Sequence, residues 1–123
     1  MTVWNVIIVG AGPAGIFAAL ELSRKAPGLN VLILDKGHEL EKRKCPGKGK
    51  IGGCRNCELC SITCGWGGAG AFSDGKLTLT NRFGGFLHEY LSQRELMELI
   101  HYIDDIWLEF GATDRIFGTD KSA

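Results

Sequence analysis

The run Gly10-Ala11-Gly12-Pro13-Ala14-Gly15 constrains the fold of this chain more than any other feature. It follows Val3–Val9, a short apolar run rich in β-branched residues that reads as a buried parallel strand. Pro13–Lys25 reads as a helix, with Pro13 in the first turn, where a missing N–H costs nothing. Ile16, Phe17 and Leu20, with Ala14, Ala18 and Leu22, supply its apolar faces. Pro27, Gly28 and Asn30 break the chain, and Val31–Leu34 is a second apolar strand closed by Asp35. Strand, helix and strand together occupy about 30 residues, the length of one βαβ unit. The expectation is an α/β, Rossmann-like nucleotide-binding fold built on a parallel sheet.

Each part of the turn has a physical task. Gly10 permits the tight exit from the strand, Gly12 lets backbone approach a pyrophosphate, and Gly15 lets the helix pack closely on the sheet. The anion then lies at the helix N-terminus, near Pro13 and Ala14, where free N–H groups and the helix dipole favour negative charge. Asp35, 20 residues beyond Gly15, is placed to accept hydrogen bonds from ribose hydroxyls, and its charge disfavours a 2′-phosphate. A glycine turn without a nucleotide is the bland alternative, and the complete strand–turn–helix–strand context argues against it. The turn itself does not choose between FAD and NAD. Asp35-Lys36-Gly37 at the end of the second strand is closer to FAD-binding flavoproteins, although those usually carry Glu at the ribose position.

Fourteen Lys plus Arg balance fourteen Asp plus Glu, so the chain carries no electrostatic footprint for nucleic acid or an anionic membrane. Val6–Leu22 is apolar, but no Lys or Arg precedes it, glycines and a proline interrupt it, and Glu21 and Arg24 follow without a cleavage site. A secreted or membrane protein is therefore not expected. For a cytoplasmic protein the five cysteines are expected to be reduced, metal-bound or redox-active.

Residues 38–75 hold all five cysteines, a basic stretch and half of the 18 glycines, which are about twice the usual glycine share. Long segments without periodicity are usually functional or disordered, and the specific chemistry here favours function. Cys54, Cys57, Cys60 and Cys64 give C-x2-C-x2-C-x3-C, the bacterial ferredoxin spacing with Gly65 in place of proline. In ferredoxins the fourth cysteine serves another cluster, so Cys45 is the candidate for a missing ligand. An iron–sulfur cluster, a four-thiolate zinc site, a redox thiol pair and plain reduced thiols all remain open. Lys42, Arg43, Lys44, Lys48 and Lys50 read as a solvated face, with Arg43 the candidate partner for a cofactor phosphate.

A second glycine-rich segment, Gly65–Leu77, follows. Gly67, Gly68, Ala69 and Gly70 offer backbone N–H groups to a flavin or its ribityl chain. Ser73, Asp74 and Lys76 are polar groups suited to orienting a substrate or contacting the flavin ring. A hairpin turn centred on Asp74-Gly75 is the alternative. Leu87–Tyr90 starts a short helix or turn. Ser92–Phe110 is the clearest helix, opened by a Ser92/Glu95 capping box and carrying Leu96, Leu99, Ile100, Ile103, Trp107 and Phe110 at core spacing, with Gly111 as its stop. Residues 119–123 form a polar tail.

These motifs resemble the FAD-dependent dehydrogenases of the wider NAD(P)/FAD-dependent oxidoreductase group. "VIIVGAGPAGIFAALEL", "CPGKGKIGGCRNCELC", "GGAGAFSDGKL" and "FGGFL" carry the resemblance, the last two being specific. It implies FAD, held by Gly10, Gly12, Gly15, Asp35 and the Gly67–Gly70 loop, with NAD(P)H as a candidate electron donor. It places Cys45, Cys54, Cys57 and Cys60 on a family cysteine pattern, with Cys64 an addition. It also implies that this chain is the N-terminal part of a two-domain flavoprotein of several hundred residues, with the substrate domain elsewhere. The expected organisation is a βαβ unit over 1–37, a Cys/Gly-rich cofactor-proximal segment over 38–86, and the amphipathic helix and tail over 87–123, all part of one FAD-binding domain. The expected partner is a small-molecule substrate or electron acceptor. An NAD-binding redox sensor without catalysis and a cysteine-ligated metal protein are the competing readings. No catalytic set is legible, and His38, His88 and His101 are isolated.

Overall fold

The computed structural model describes residues 2–82 and 85–115; the tail at 119–123 lies outside them. The chain divides into two compact units, Met1–Asp74 and Gly75–Ala123. The division falls within the segment 38–86 of the sequence reading.

The first unit opens with strand β1 (Val6–Val9), helix α1 (Pro13–Lys25) and strand β2 (Val31–Leu34). β1 and β2 pair in parallel, with Val6 opposite Val31 and Val9 opposite Leu34. Two asparagines set the start of this register. The Asn5 and Val6 N–H groups donate to the Asn30 carbonyl, at 2.9 and 3.2 Å. The Asn30 N–H donates back to Asn5 Oδ1 at 2.8 Å. At the other end the Gly10 N–H donates to the Leu34 carbonyl at 2.7 Å, carrying the ladder into the glycine turn. A parallel pair needs a crossover, and α1 supplies it.

The strands are less buried than their apolar character predicts. β1 alternates, with Ile7 55% and Val9 85% exposed, whereas β2 is half-buried from Val31 to Ile33 and exposed at Leu34. Ile8 lies under α1, where its Cγ2 would stand 3.3 Å from a Cβ placed on Gly15. β1 thus has one face beneath α1 and the other exposed, which corrects the expectation of a fully buried strand. β1 also begins at Val6, not Val3.

Beyond β2 the first unit continues as loops and two 3-10 turns, Leu40–Lys42 and Gly68–Phe72. The organising group of this segment is Arg43, 4% exposed. Its Nε donates to the Ser61 carbonyl (3.0 Å), Nη1 to that of Trp66 (2.6 Å), and Nη2 to those of Ile62 (2.7 Å) and Gly68 (2.8 Å). Its guanidinium lies 4.7 Å from the centroid of the Phe72 ring. A loop without a ladder must find donors for its buried carbonyls, and one five-donor fork supplies four of them here.

The second unit contains a 3-10 turn at Leu87–Glu89 and helix α2 (Gln93–Glu109). The capping box is present: the Glu95 N–H donates to Ser92 Oγ at 3.3 Å and the Ser92 N–H donates to Glu95 Oε2 at 2.8 Å. The Ser92 hydroxyl, donating to Glu95 Oε2 at 2.6 Å, and then the Ser92 N–H hold the Glu95 carboxyl below its ordinary value. At the far end Gly111, at φ +92°, donates to the Leu108 carbonyl and Ala112 to that of Trp107, the pairing of a Schellman stop. Leu96 and Ile106 are the buried residues of α2. Leu99, at 46%, and Phe110, at 71%, are exposed, so the buried stripe is narrower than the sequence periodicity implied. Among the described residues no helix is long and apolar enough to cross a membrane.

Candidate nucleotide site

The site is built at the carboxyl ends of β1 and β2, where open α/β sheets bind ligands. Gly10 leaves the strand at φ +104° and Gly12 caps α1 in extended conformation. A Cβ on Gly12 would meet nothing within 4 Å, so the space beside this backbone is clear for a ligand. A Cβ on Gly15 would run into the Gly10 carbonyl. Gly15 therefore sets how closely α1 approaches the turn, and Pro13 and Ala14 form the first turn of that helix.

Asp35 ties three segments together. Oδ2 accepts the Ala11 N–H at 2.8 Å; Oδ1 accepts the N–H groups of Gly37 (2.8 Å) and Gly65 (2.7 Å). The Ala11 N–H, then that of Gly37, and less strongly that of Gly65 and the Arg43 charge, hold the carboxyl below its ordinary value against a small desolvation effect. An ionised carboxylate has about four acceptor positions. Three are taken, which leaves Oδ2 with capacity for one more donor. Asp35 is thus a structural latch as well as a candidate ribose acceptor.

Ala11, Gly37, Gly65 and Thr63 were not singled out by the sequence reading. A Cβ on Gly37 would strike the backbone of Cys64 and Gly65. The available signal was the Asp-Lys-Gly ending itself, in which a glycine directly follows the acid at the tip of β2.

The second glycine-rich segment sits on the first. The Gly67 N–H donates to the Ala11 carbonyl at 2.8 Å. A Cβ on Gly68 would stand 3.0 Å from Gly12 Cα, and one on Gly70 would stand 3.1 Å from Pro13 Cγ. Gly67, Gly68, Ala69 and Gly70 are thereby gathered beside the Gly10–Gly15 turn. Below them an open cavity of about 300 Å³ is lined by Val9, Gly10, Leu34, Asp35, Lys36, Thr63 and Cys64. Its walls combine apolar strand ends with the acid of β2, a setting suited to an adenosine group.

Arg43 is buried, and four of its five N–H donors go to backbone carbonyls instead of being presented to a phosphate. The five candidate ligand cysteines are not brought together. Among the described residues, which include all five, no three His, Cys, Asp or Glu side chains come together around a common point. All five are free thiols; Cys54 and Cys57 are exposed and Cys45, Cys60 and Cys64 partly so. Cys54 engages the Asn56 N–H of its own turn at 3.4 Å instead. The ferredoxin-like spacing is not matched by convergence in space.

Residues 8–41 match the family model described as an NAD(P)-binding Rossmann-like domain. An uncharacterised protein of Clostridium beijerinckii (strain ATCC 51743 / NCIMB 8052) is 47% identical over 73 residues, which cover 58% of this chain and 13% of that protein. The chain thus matches a small part of a much longer relative. No solved structure matches. The glycine turn, the parallel strand pair and the family match agree: this chain carries a Rossmann-like α/β nucleotide-binding fold.

Proposed function

We propose that the chain is the FAD-binding portion of a flavin-dependent oxidoreductase, holding the adenosine-diphosphate half of the cofactor on the Gly10–Gly15 turn. The observation that carries this reading is the seating of Gly67–Gly70 against Ala11, Gly12 and Pro13. A second glycine loop packed over the first provides additional backbone close to the pyrophosphate position, which an isolated NAD-type βαβ unit does not require. The motifs shared with FAD-dependent dehydrogenases point the same way.

In this arrangement Gly12 and the first turn of α1 receive the pyrophosphate, and Asp35 Oδ2 accepts a ribose hydroxyl while its other contacts hold the turn closed. The bound flavin supplies hydride or electron transfer. The residues of this chain bind and orient it. The absorbance spectrum of the purified protein tests the reading: a flavin band, present as isolated or after addition of FAD, supports it. A colourless protein that takes up no FAD refutes it.

One observation favours a second reading. The matching family model is described by NAD(P), so an NAD-binding module is the competing function. It predicts NADH binding without flavin uptake.

A further inference from the structure

Two of the five cysteines share a single turn at the rim of the cavity. The Cys64 N–H donates to the Cys60 carbonyl at 2.9 Å, and the Thr63 N–H to the same oxygen at 3.2 Å. Residues 60–64 thus form one helical turn, which brings positions i and i+4 to the same side. The Thr63 hydroxyl lies 3.6 Å from Cys64 Sγ. Arg43 clamps this turn through the Ser61 and Ile62 carbonyls. Both thiols are partly exposed, so a small reagent reaches them.

We propose that Cys60 and Cys64 form a dithiol that exchanges with low-molecular-weight disulfides. Helical i, i+4 Cβ atoms lie roughly 5–6 Å apart and a disulfide needs roughly 3.5–4.5 Å, so closure tightens the turn by about 1–2 Å. One of the two thiolates attacks one sulfur of the reagent RSSR, forming a mixed disulfide and releasing RS⁻. The other thiolate then attacks the protein sulfur of that mixed disulfide, breaks the mixed bond and releases the second RS⁻. The two thiol protons end on the two RS⁻ groups. The protein dithiol is oxidised by two electrons and RSSR is reduced to two RSH.

Cys64 lines the cavity with Asp35, and its neighbour Gly65 donates to Asp35. The bond would therefore form at the edge of the nucleotide site, yet its formation does not depend on which nucleotide binds there.

Oxidised glutathione and peptide mapping of the intact chain test this. The expected product is a Cys60–Cys64 disulfide, reversed by dithiothreitol. Cys64→Ser is expected to accumulate the glutathione adduct at Cys60. A disulfide joining any other pair, or glutathione spread evenly over the five cysteines, would overturn the proposal.

Discussion

Asp35 Oδ2 accepts the Ala11 N–H at 2.8 Å, bridging 24 residues to lock the glycine turn onto the end of β2. Ala11 is only 2% exposed, so its N–H has little access to water as a replacement partner. Asp35→Ala is expected to destabilise the first unit by about 1–3 kcal/mol, the cost of leaving such a donor unpaired. Urea unfolding at pH 7 measures it. The same variant is expected to weaken nucleotide binding by more than the ribose contact alone predicts, because the turn itself loosens.

The latch also dictates an acid response. The Asp35 carboxyl titrates lower in the folded chain than in the unfolded one, so in that window the unfolded chain binds more protons. The stabilisation is fully present above the unfolded value of about 3.9 and is lost as pH falls through the lower folded value. Glu95 contributes with the same sign through Ser92. Thermal unfolding followed from pH 6 downward is therefore expected to show a shallower loss of stability for Asp35→Ala than for the unmodified chain, with the Glu95 part of the slope retained.

Gly15 faces the Gly10 carbonyl with no room for a methyl group. Gly15→Ala must push α1 away from the turn, at about 1–3 kcal/mol for overpacking. Gly12→Ala meets open space and should fold normally while obstructing the approach of a ligand. Comparing the two by unfolding and by nucleotide titration separates packing from binding: both variants lose affinity, and only Gly15→Ala loses stability.

Arg43 is expected to matter for the loop and not for charge. Arg43→Lys keeps the cation but cannot span four carbonyls. Hydrogen exchange is expected to quicken across residues 61–68, with a stability loss of about 2 kcal/mol or more. Unchanged exchange in that segment would show that the fork is dispensable.

The βαβ unit was legible because every local signal agreed: β-branched strands, Pro13 at the helix start, three glycines at fixed offsets and an acid at the tip of β2. Both ends of α2 were legible for the same reason, the start through Ser92 and Glu95 and the stop through Gly111. The middle segment was not. Five cations between 42 and 50 look alike in sequence, and only the fold shows that one of them, Arg43, is buried to serve the carbonyls of residues 61, 62, 66 and 68. Ligand spacing likewise carries no information about convergence: the cysteines at 45, 54 and 57 follow a cluster-like pattern without meeting the pair at 60 and 64. The role of Gly37 depends on a backbone 27 residues away, which no local pattern reveals.

The central claim is that the paired glycine loops hold FAD. The most direct measurement is a titration of the protein with FAD, followed by flavin fluorescence, with ADP and NAD⁺ as competitors. The account predicts saturable FAD binding that ADP displaces, NAD⁺ displaces only weakly, and Gly12→Ala abolishes. Absence of FAD binding together with saturable binding of NAD⁺ would contradict it.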